Sequence, residues 1–147
     1  MSPIKVLIVE DEGIVAMDLF GTLGRLGYEV AGRTAHGEEA LALARREAPD
    51  VILMDIRLAG KKDGIEAARD VRAELGIPVI FVTAHADDAT LARARTVEPY
   101  GYIVKPFDDL SVRTSVELAC YRRKAERERE AAASAARLGG VAVGPRA

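Results

Sequence analysis

The chain has 147 residues, 49% apolar and 30% charged, which suits one domain with a real core and excludes a disordered polymer or two full-sized domains. A net charge of −2 provides no basic field for nucleic acid, and no apolar run reaches membrane-spanning length. The single Cys120 cannot close an internal disulfide, and the apolar run Ile4 to Val9, broken by Lys5 and followed by acids, is too short for a secretory signal, so the expected location is the cytoplasm.

Ile4 to Val9 reads as a buried strand, and Glu10-Asp11-Glu12 follows it at once. The next segment is helical, with Val15, Leu19, Leu23 and Leu26 on one face, acids at its start to complement its dipole, and Gly27 at its end. Glu29 to Thr34 is a weaker strand at a sheet edge. Glu38 to Ala48 is a helix that turns Ala40, Leu41, Ala44 and Ala48 inward, and Pro49 stops it. Val51 to Asp55 is the central strand: four apolar residues run straight into one acid. After a loop from Ile56 to Lys62, Asp63 caps a helix with Ile65, Ala68, Val71 and Leu75 at helical spacing, ended by Gly76.

Pro78 to Thr83 is a fourth strand, and Asp87 to Thr96 is a short, polar helix held by Leu91 and alanines. Gly101 to Val104 is a fifth strand, followed by Lys105-Pro106. From Asp108 to Arg137 the chain reads as one long helix. The pattern is βα five times over, which predicts an α/β fold, a (βα)5 doubly wound parallel sheet with an extended C-terminal helix. Composition shifts after Tyr121. Residues 1–121 are expected to form the compact domain and 122–147 a charged helical extension, with a loose tail from Gly139 whose closing Gly144-Pro145-Arg146-Ala147 resembles a cloning scar.

Chemistry collects at the carboxyl ends of the strands, where open α/β sheets place it. The first strand delivers Glu10 and Asp11, the third Asp55, the fourth Thr83 with Ala84, and the fifth Lys105. Three carboxylates in one crevice repel, so at least one pKa must rise unless a cation is present. Oxygen ligands with room for waters suit Mg2+. A carboxylate beside a metal, a hydroxyl and an ammonium has what a phosphorus-directed nucleophile needs.

Glu10-Asp11, Met54-Asp55, Thr83-Ala84 and Gly-Tyr-Ile-Val-Lys-Pro at 101–106, in this order and strand context, resemble the receiver domain of bacterial two-component response regulators over residues 3–121. The resemblance implies the flavodoxin-like strand order 2-1-3-4-5. It implies Asp55 as phosphoacceptor, charged by a histidine kinase or histidine phosphotransfer protein. It also implies that Asp11, Asp55 and the backbone carbonyl of Arg57 bind Mg2+ directly, with Glu10 acting through a water. Thr83 and the Ala84 N–H would hold phosphoryl oxygens, with Lys105 on the other side. Lys105–Pro106 is expected to be cis, and Tyr102 stands where the family has its switching aromatic. The chain departs from the family in carrying Glu10 where Asp is common and Ala59 where Pro is usual, in a loop one residue longer than the commonest form.

The domain is expected to catalyse only its own Mg2+-dependent phosphorylation and dephosphorylation, with Arg57 and His85 setting the phosphoryl lifetime. An aspartyl-nucleophile phosphatase of the haloacid-dehalogenase type would carry an acid where Arg57 stands, and a flavin-phosphate binder would not carry Glu10-Asp11-Glu12. The chain is read as a regulator in its own right or as a receiver module of a larger hybrid kinase or output protein. The expected switch turns Thr83 toward the phosphoryl group, so that Tyr102 rotates inward and the loosely packed fourth helix shifts. Leu110, Leu118 and Tyr121 lie off the packed face of the last helix. A homodimer or partner contact is therefore expected through the fourth helix, fifth strand and fifth helix, with no direct nucleic-acid or membrane contact.

Overall fold

Short apolar runs bounded by Gly, Pro or Asp become strands, and the 3.6-periodic segments between them become helices. In a computed structural model, which describes residues 2–84 and 87–143, the order is β1 (Lys5–Val9), α1 (Gly13–Arg25), β2 (Glu29–Thr34), α2 (Gly37–Glu47), β3 (Val51–Met54), α3 (Gly64–Leu75), β4 (Val79–Thr83), α4 (Asp88–Arg95), β5 (Gly101–Val104) and α5 (Asp109–Val143). The strands form one sheet, β2-β1-β3-β4-β5, in which every neighbouring pair is parallel. This is the flavodoxin-like order. Among the described residues no helix is long and apolar enough to cross a membrane.

Period-2 alternation divides the sheet between two cores. Leu7, Val9, Ile52, Met54, Val79 and Phe81 face α2, α3 and α4, meeting Ala40, Ala44, Ile65, Ala68, Val71 and Ala94. Val6, Ile8, Val51, Leu53, Ile80 and Val82 face α1 and α5, meeting Leu19, Leu23, Val112, Val116 and Ala119. β1, β3 and β4 are therefore apolar on both faces, whereas β2, covered on one edge only, is half-buried.

Local signals set the element ends. Asp63 and Glu66 form a reciprocal capping box at the start of α3, satisfying two N–H groups that the helix would leave unpaired. At the other end Gly76 takes a left-handed φ of 65°. In α1 the buried stripe is Ala16, Leu19, Thr22 and Leu23, with Val15 and Leu26 at its half-buried margins.

Four details differ from the sequence expectation. The acids Glu10 to Glu12 precede α1 rather than forming its first turn, since Glu12 is the N-cap with an extended backbone and the helix starts at Gly13. Ala48 is exposed rather than inward, since it is the C-cap of α2 with a φ of 47°. α5 continues through the two glycines at 139 and 140 to Val143, past the expected start of the loose tail; residues 144–147 lie outside the described residues. Tyr102 points inward here, its ring 6.0 Å from that of Phe81, rather than standing at the surface. α4 is short and buries only Ala94, so it leaves room for that ring beside Val97.

Candidate functional site

The parallel register gathers the polar strand ends. Val9 pairs with Met54, so the next residues, Glu10 and Asp55, leave adjacent strands at one edge. The Glu10 N–H donates to the Thr34 carbonyl (3.0 Å) and the Asp55 N–H to the Val9 carbonyl (2.9 Å), which fixes both backbones. Thr83 ends β4, and its carbonyl accepts from the Lys105 N–H at 3.0 Å, bringing the lysine to the same edge.

Lys105 Nζ lies 2.9 Å from Glu10 Oε1, 3.1 Å from Asp55 Oδ2 and 3.8 Å from Glu12 Oε1. The other Asp55 oxygen, Oδ1, accepts from the Arg57 N–H at 3.3 Å. Glu10 Oε2 accepts from the Glu12 N–H at 3.1 Å, and Asp11 Oδ2 from the Ala59 N–H at 3.1 Å, which ties the β1–α1 loop to the β3–α3 loop. Glu10, Asp11 and Asp55 each bring a carboxylate oxygen within 4.8 Å of the others. Asp55 is 4% exposed, Glu10 and Thr83 1% each, so these groups meet out of bulk water.

Burial pushes the Glu10 carboxyl up to about 7, and the neighbouring Asp55 charge adds to this, while Lys105 and the Glu12 N–H oppose it. Burial pulls Lys105 down, but its hydrogen bonds to Glu10 and Asp55 outweigh that and hold it above its ordinary value. The lysine is thus a fixed cation facing three carboxylates. That excess of hard, clustered oxygen donors fits a small divalent cation such as Mg2+, which tolerates few protein ligands and keeps waters.

Of the residues singled out from sequence, Glu10, Asp11, Asp55, Thr83 and Lys105 come together at this edge. Arg57 is exposed in the loop after β3, and Ala84 is exposed just past β4. His85 lies outside the described residues. The Lys105–Pro106 peptide is cis. Tyr102 faces the core, and its hydroxyl is buried with no hydrogen-bond partner among the described residues.

Two positioning residues escaped the sequence reading. Gly64 opens α3 with its N–H donating to the Ile56 carbonyl at 2.8 Å. A Cβ on Gly64 would stand 2.0 Å from the Asp55 carbonyl oxygen, so only glycine lets α3 start this close to the acid. The Asp63-Gly64 pair hints at a turn, but nothing in sequence says what it packs on. Arg33, on the edge strand β2, donates to the Glu10 carbonyl at 2.9 and 3.3 Å, and no motif marked it.

A model of the response regulator receiver domain matches residues 6–117. The transcriptional regulatory protein PdtaR of Mycobacterium tuberculosis is 37% identical over 120 residues, 82% of this chain and 58% of that protein. The chain spans about half the length of the curated relatives it matches. The solved signal receiver domain of a modulated diguanylate cyclase from Desulfovibrio desulfuricans matches with a TM-score of 0.82 at 40% identity, over 85% of this chain and 99% of that one. The receiver domain of the sensor histidine kinase PA1611 from Pseudomonas aeruginosa, which has a magnesium ion coordinated in its active-site cleft, matches with a TM-score of 0.74 at 30% identity, over 81% of this chain and 98% of that one. Fold, strand-end residues and relatives agree, and the chain belongs to the response regulator receiver domain family.

Proposed function

We propose that this chain is a phosphoryl-accepting switch in which Asp55 takes a phosphoryl group from the phosphohistidine of a histidine kinase or histidine phosphotransfer protein. The observation that carries the reading is the buried Asp55 carboxylate at the end of β3, 3.1 Å from Lys105 and within 4.8 Å of Glu10 and Asp11. An Asp55 oxygen forms the new P–O bond as the P–N bond of the donor breaks, and the released imidazole takes its proton from solvent. Transfer of this kind needs little beyond positioning and charge neutralisation.

Asp11, Asp55 and the Arg57 carbonyl would hold Mg2+ directly, and Glu10 through a water. When bound, the ion supplies positive charge for the carboxylates and the incoming phosphoryl oxygens. Lys105, already charged and anchored, neutralises another phosphoryl oxygen. The Thr83 hydroxyl and Ala84 N–H donate to the remaining ones. The residues act on a group bound to their own chain, so the domain turns over no external substrate. Its place of action is the cytoplasm.

The output surface is read as the face of α4, β5 and α5. Val112, Val116 and Ala119 are fully buried in α5, while Leu110 (62%), Leu118 (61%) and Tyr121 (74%) remain exposed, with Val104 of β5. Such a face suits a second copy of the chain or a partner protein. The reading holds alike for a free-standing regulator and for a receiver module of a larger protein.

The test is incubation of the full chain with a small phosphodonor and Mg2+. One phosphoryl group per wild-type chain, none on Asp55→Asn and none in wild type with a chelator are the expected results. Equal labelling of wild type and Asp55→Asn would reject the proposal.

A further inference from the structure

The C-terminal helix leaves the domain by an anchored route. Tyr100, in the link between α4 and β5, packs against the α1/α5 core. Its hydroxyl donates to Glu126 Oε1. The Arg122 guanidinium sits over its ring, 4.2 Å from the centroid, and Arg122 pairs with Glu126 at 3.6 Å. One turn of α5 thus clasps Tyr100 by a cation–π contact on the ring and a charge-assisted hydrogen bond on the hydroxyl. A second anchor lies beside it. Arg123, half-buried, lies against Gly76 at the C-terminal end of α3, where a helix favours a cation; a Cβ there would come within 3.2 Å of Arg123 Nη2. These contacts enclose a cleft of about 350 Å³ lined by Ala68, Val97, Pro99, Tyr100, Arg123 and Glu126, among others. It lies at the edge of the sheet opposite Asp55.

The link that carries Tyr100 is itself under tension. Glu98 has a φ of 49°, costly for a residue with a side chain, and Arg72 of α3 holds it there through the Glu98 carbonyl (3.0 Å) and carboxylate (3.1 Å). Two residues on, the chain reaches Tyr100. α4 buries only Ala94, and its C-terminal end is held by this link together with the Arg93–Asp63 pair (2.8 Å) and the bond from Arg69 to the Thr96 hydroxyl (3.4 Å).

We infer that Tyr100 is a joint that locks the α4–β5 link to the C-terminal helix, so that displacement of the link is passed to residues 122–130 of α5. The extension is then a lever seated on the base of the domain rather than a solvated continuation of the last helix. Its motion reports on α4 whatever drives α4, and the inference does not depend on the chemistry at Asp55.

Hydrogen exchange by mass spectrometry on the full chain tests it, read at amides 122–130 with β1 and β3 as internal standards. Tyr100→Phe keeps the ring and its packing and removes only the hydroxyl; exchange in 122–130 should rise about tenfold, as loss of a charge-assisted hydrogen bond predicts. Tyr100→Leu, which also removes the ring face, should raise it further. Arg72 is hydrogen-bonded to the link through Glu98, so Arg72→Ala too should raise exchange in 122–130. In a Tyr100→Phe background the Arg72→Ala effect should largely vanish, because the connection is already broken. Unchanged exchange in both Tyr100 variants would overturn the inference. So would an Arg72→Ala effect of equal size with and without the Tyr100 hydroxyl.

Discussion

Replacing Gly64 by Ala places a methyl group where the Asp55 carbonyl oxygen already stands, 2.0 Å away, with the Ile56 Cα at 2.9 Å. The obstacles are backbone atoms, so no rotamer change relieves the overlap. The contact has to lengthen by about 1 Å or more before it ceases to be repulsive. Either α3 retreats, at the cost of the 2.8 Å bond from the Gly64 N–H to Ile56, or the β3–α3 junction moves and takes Asp55 with it. Overpacking of this kind costs about 1–3 kcal/mol of stability, and a displacement near 1 Å at a reacting group costs about a hundredfold in rate. Gly24→Ala is the control, since a Cβ there, in the last turn of α1, meets nothing within 4 Å, and it should leave stability unchanged or slightly raised, by at most about 0.5 kcal/mol. The assay is the rate of phosphorylation by a small phosphodonor with saturating Mg2+, alongside thermal unfolding by circular dichroism. A folded Gly64→Ala that is phosphorylated as fast as wild type would refute the claim that this close approach positions Asp55.

Arg57→Ala combined with His85→Ala should change the rate of dephosphorylation, measured as decay of labelled protein, while an unchanged lifetime would remove both from the hydrolytic face. Asp63→Ala should cost about 1 kcal/mol in urea unfolding, because it removes the side-chain cap and the 2.8 Å pair with Arg93. Burial works to raise the Asp63 pKa, but the bonds from Arg93 and the Glu66 N–H prevail and hold it below 3.8. The folded state therefore binds that proton less tightly, so the contribution of Asp63 is full above its unfolded pKa and is lost as pH falls through its folded value; the wild-type advantage over Asp63→Ala should shrink as pH falls below the ordinary aspartate range. In sedimentation, the full chain with a phosphoryl mimic should self-associate or take a partner more strongly than a chain ended after Tyr121; identical monomers in all conditions would leave the α4–β5–α5 face without a role.

The layered fold was legible because each strand is a short apolar run and each helix a longer periodic one, so β and α segments separate by length and period alone. The site was legible for a related reason. In a parallel sheet, position at a strand end is position at the crevice, and Glu10, Asp55, Thr83 and Lys105 follow apolar runs directly, with Asp11 one residue further on. Residues whose role depends on what lies across a loop were not legible. Gly64 is nine positions from Asp55 in sequence yet touches its carbonyl. Arg33 reaches Glu10 from a strand whose pattern signals only an edge. Tyr100 lies just before the fifth strand and carries no pattern of its own, and its role shows only where Arg122 of α5 covers its ring. Tyr102 was expected at the surface because the small size of α4 on the page of sequence does not reveal the space it leaves beside Phe81.

Under the proposed function one carboxylate, Asp55, carries the phosphoryl group. Acyl phosphates are cleaved by borohydride to the alcohol, so treating the phosphorylated full chain with borohydride converts the acceptor aspartate to homoserine, and peptide mass spectrometry then reads its position. Homoserine is expected at position 55 and at no other aspartate, appearing only when both phosphodonor and Mg2+ have been present. Homoserine at Asp11, or a phosphoryl group on Thr83 with Asp55 intact, would contradict it.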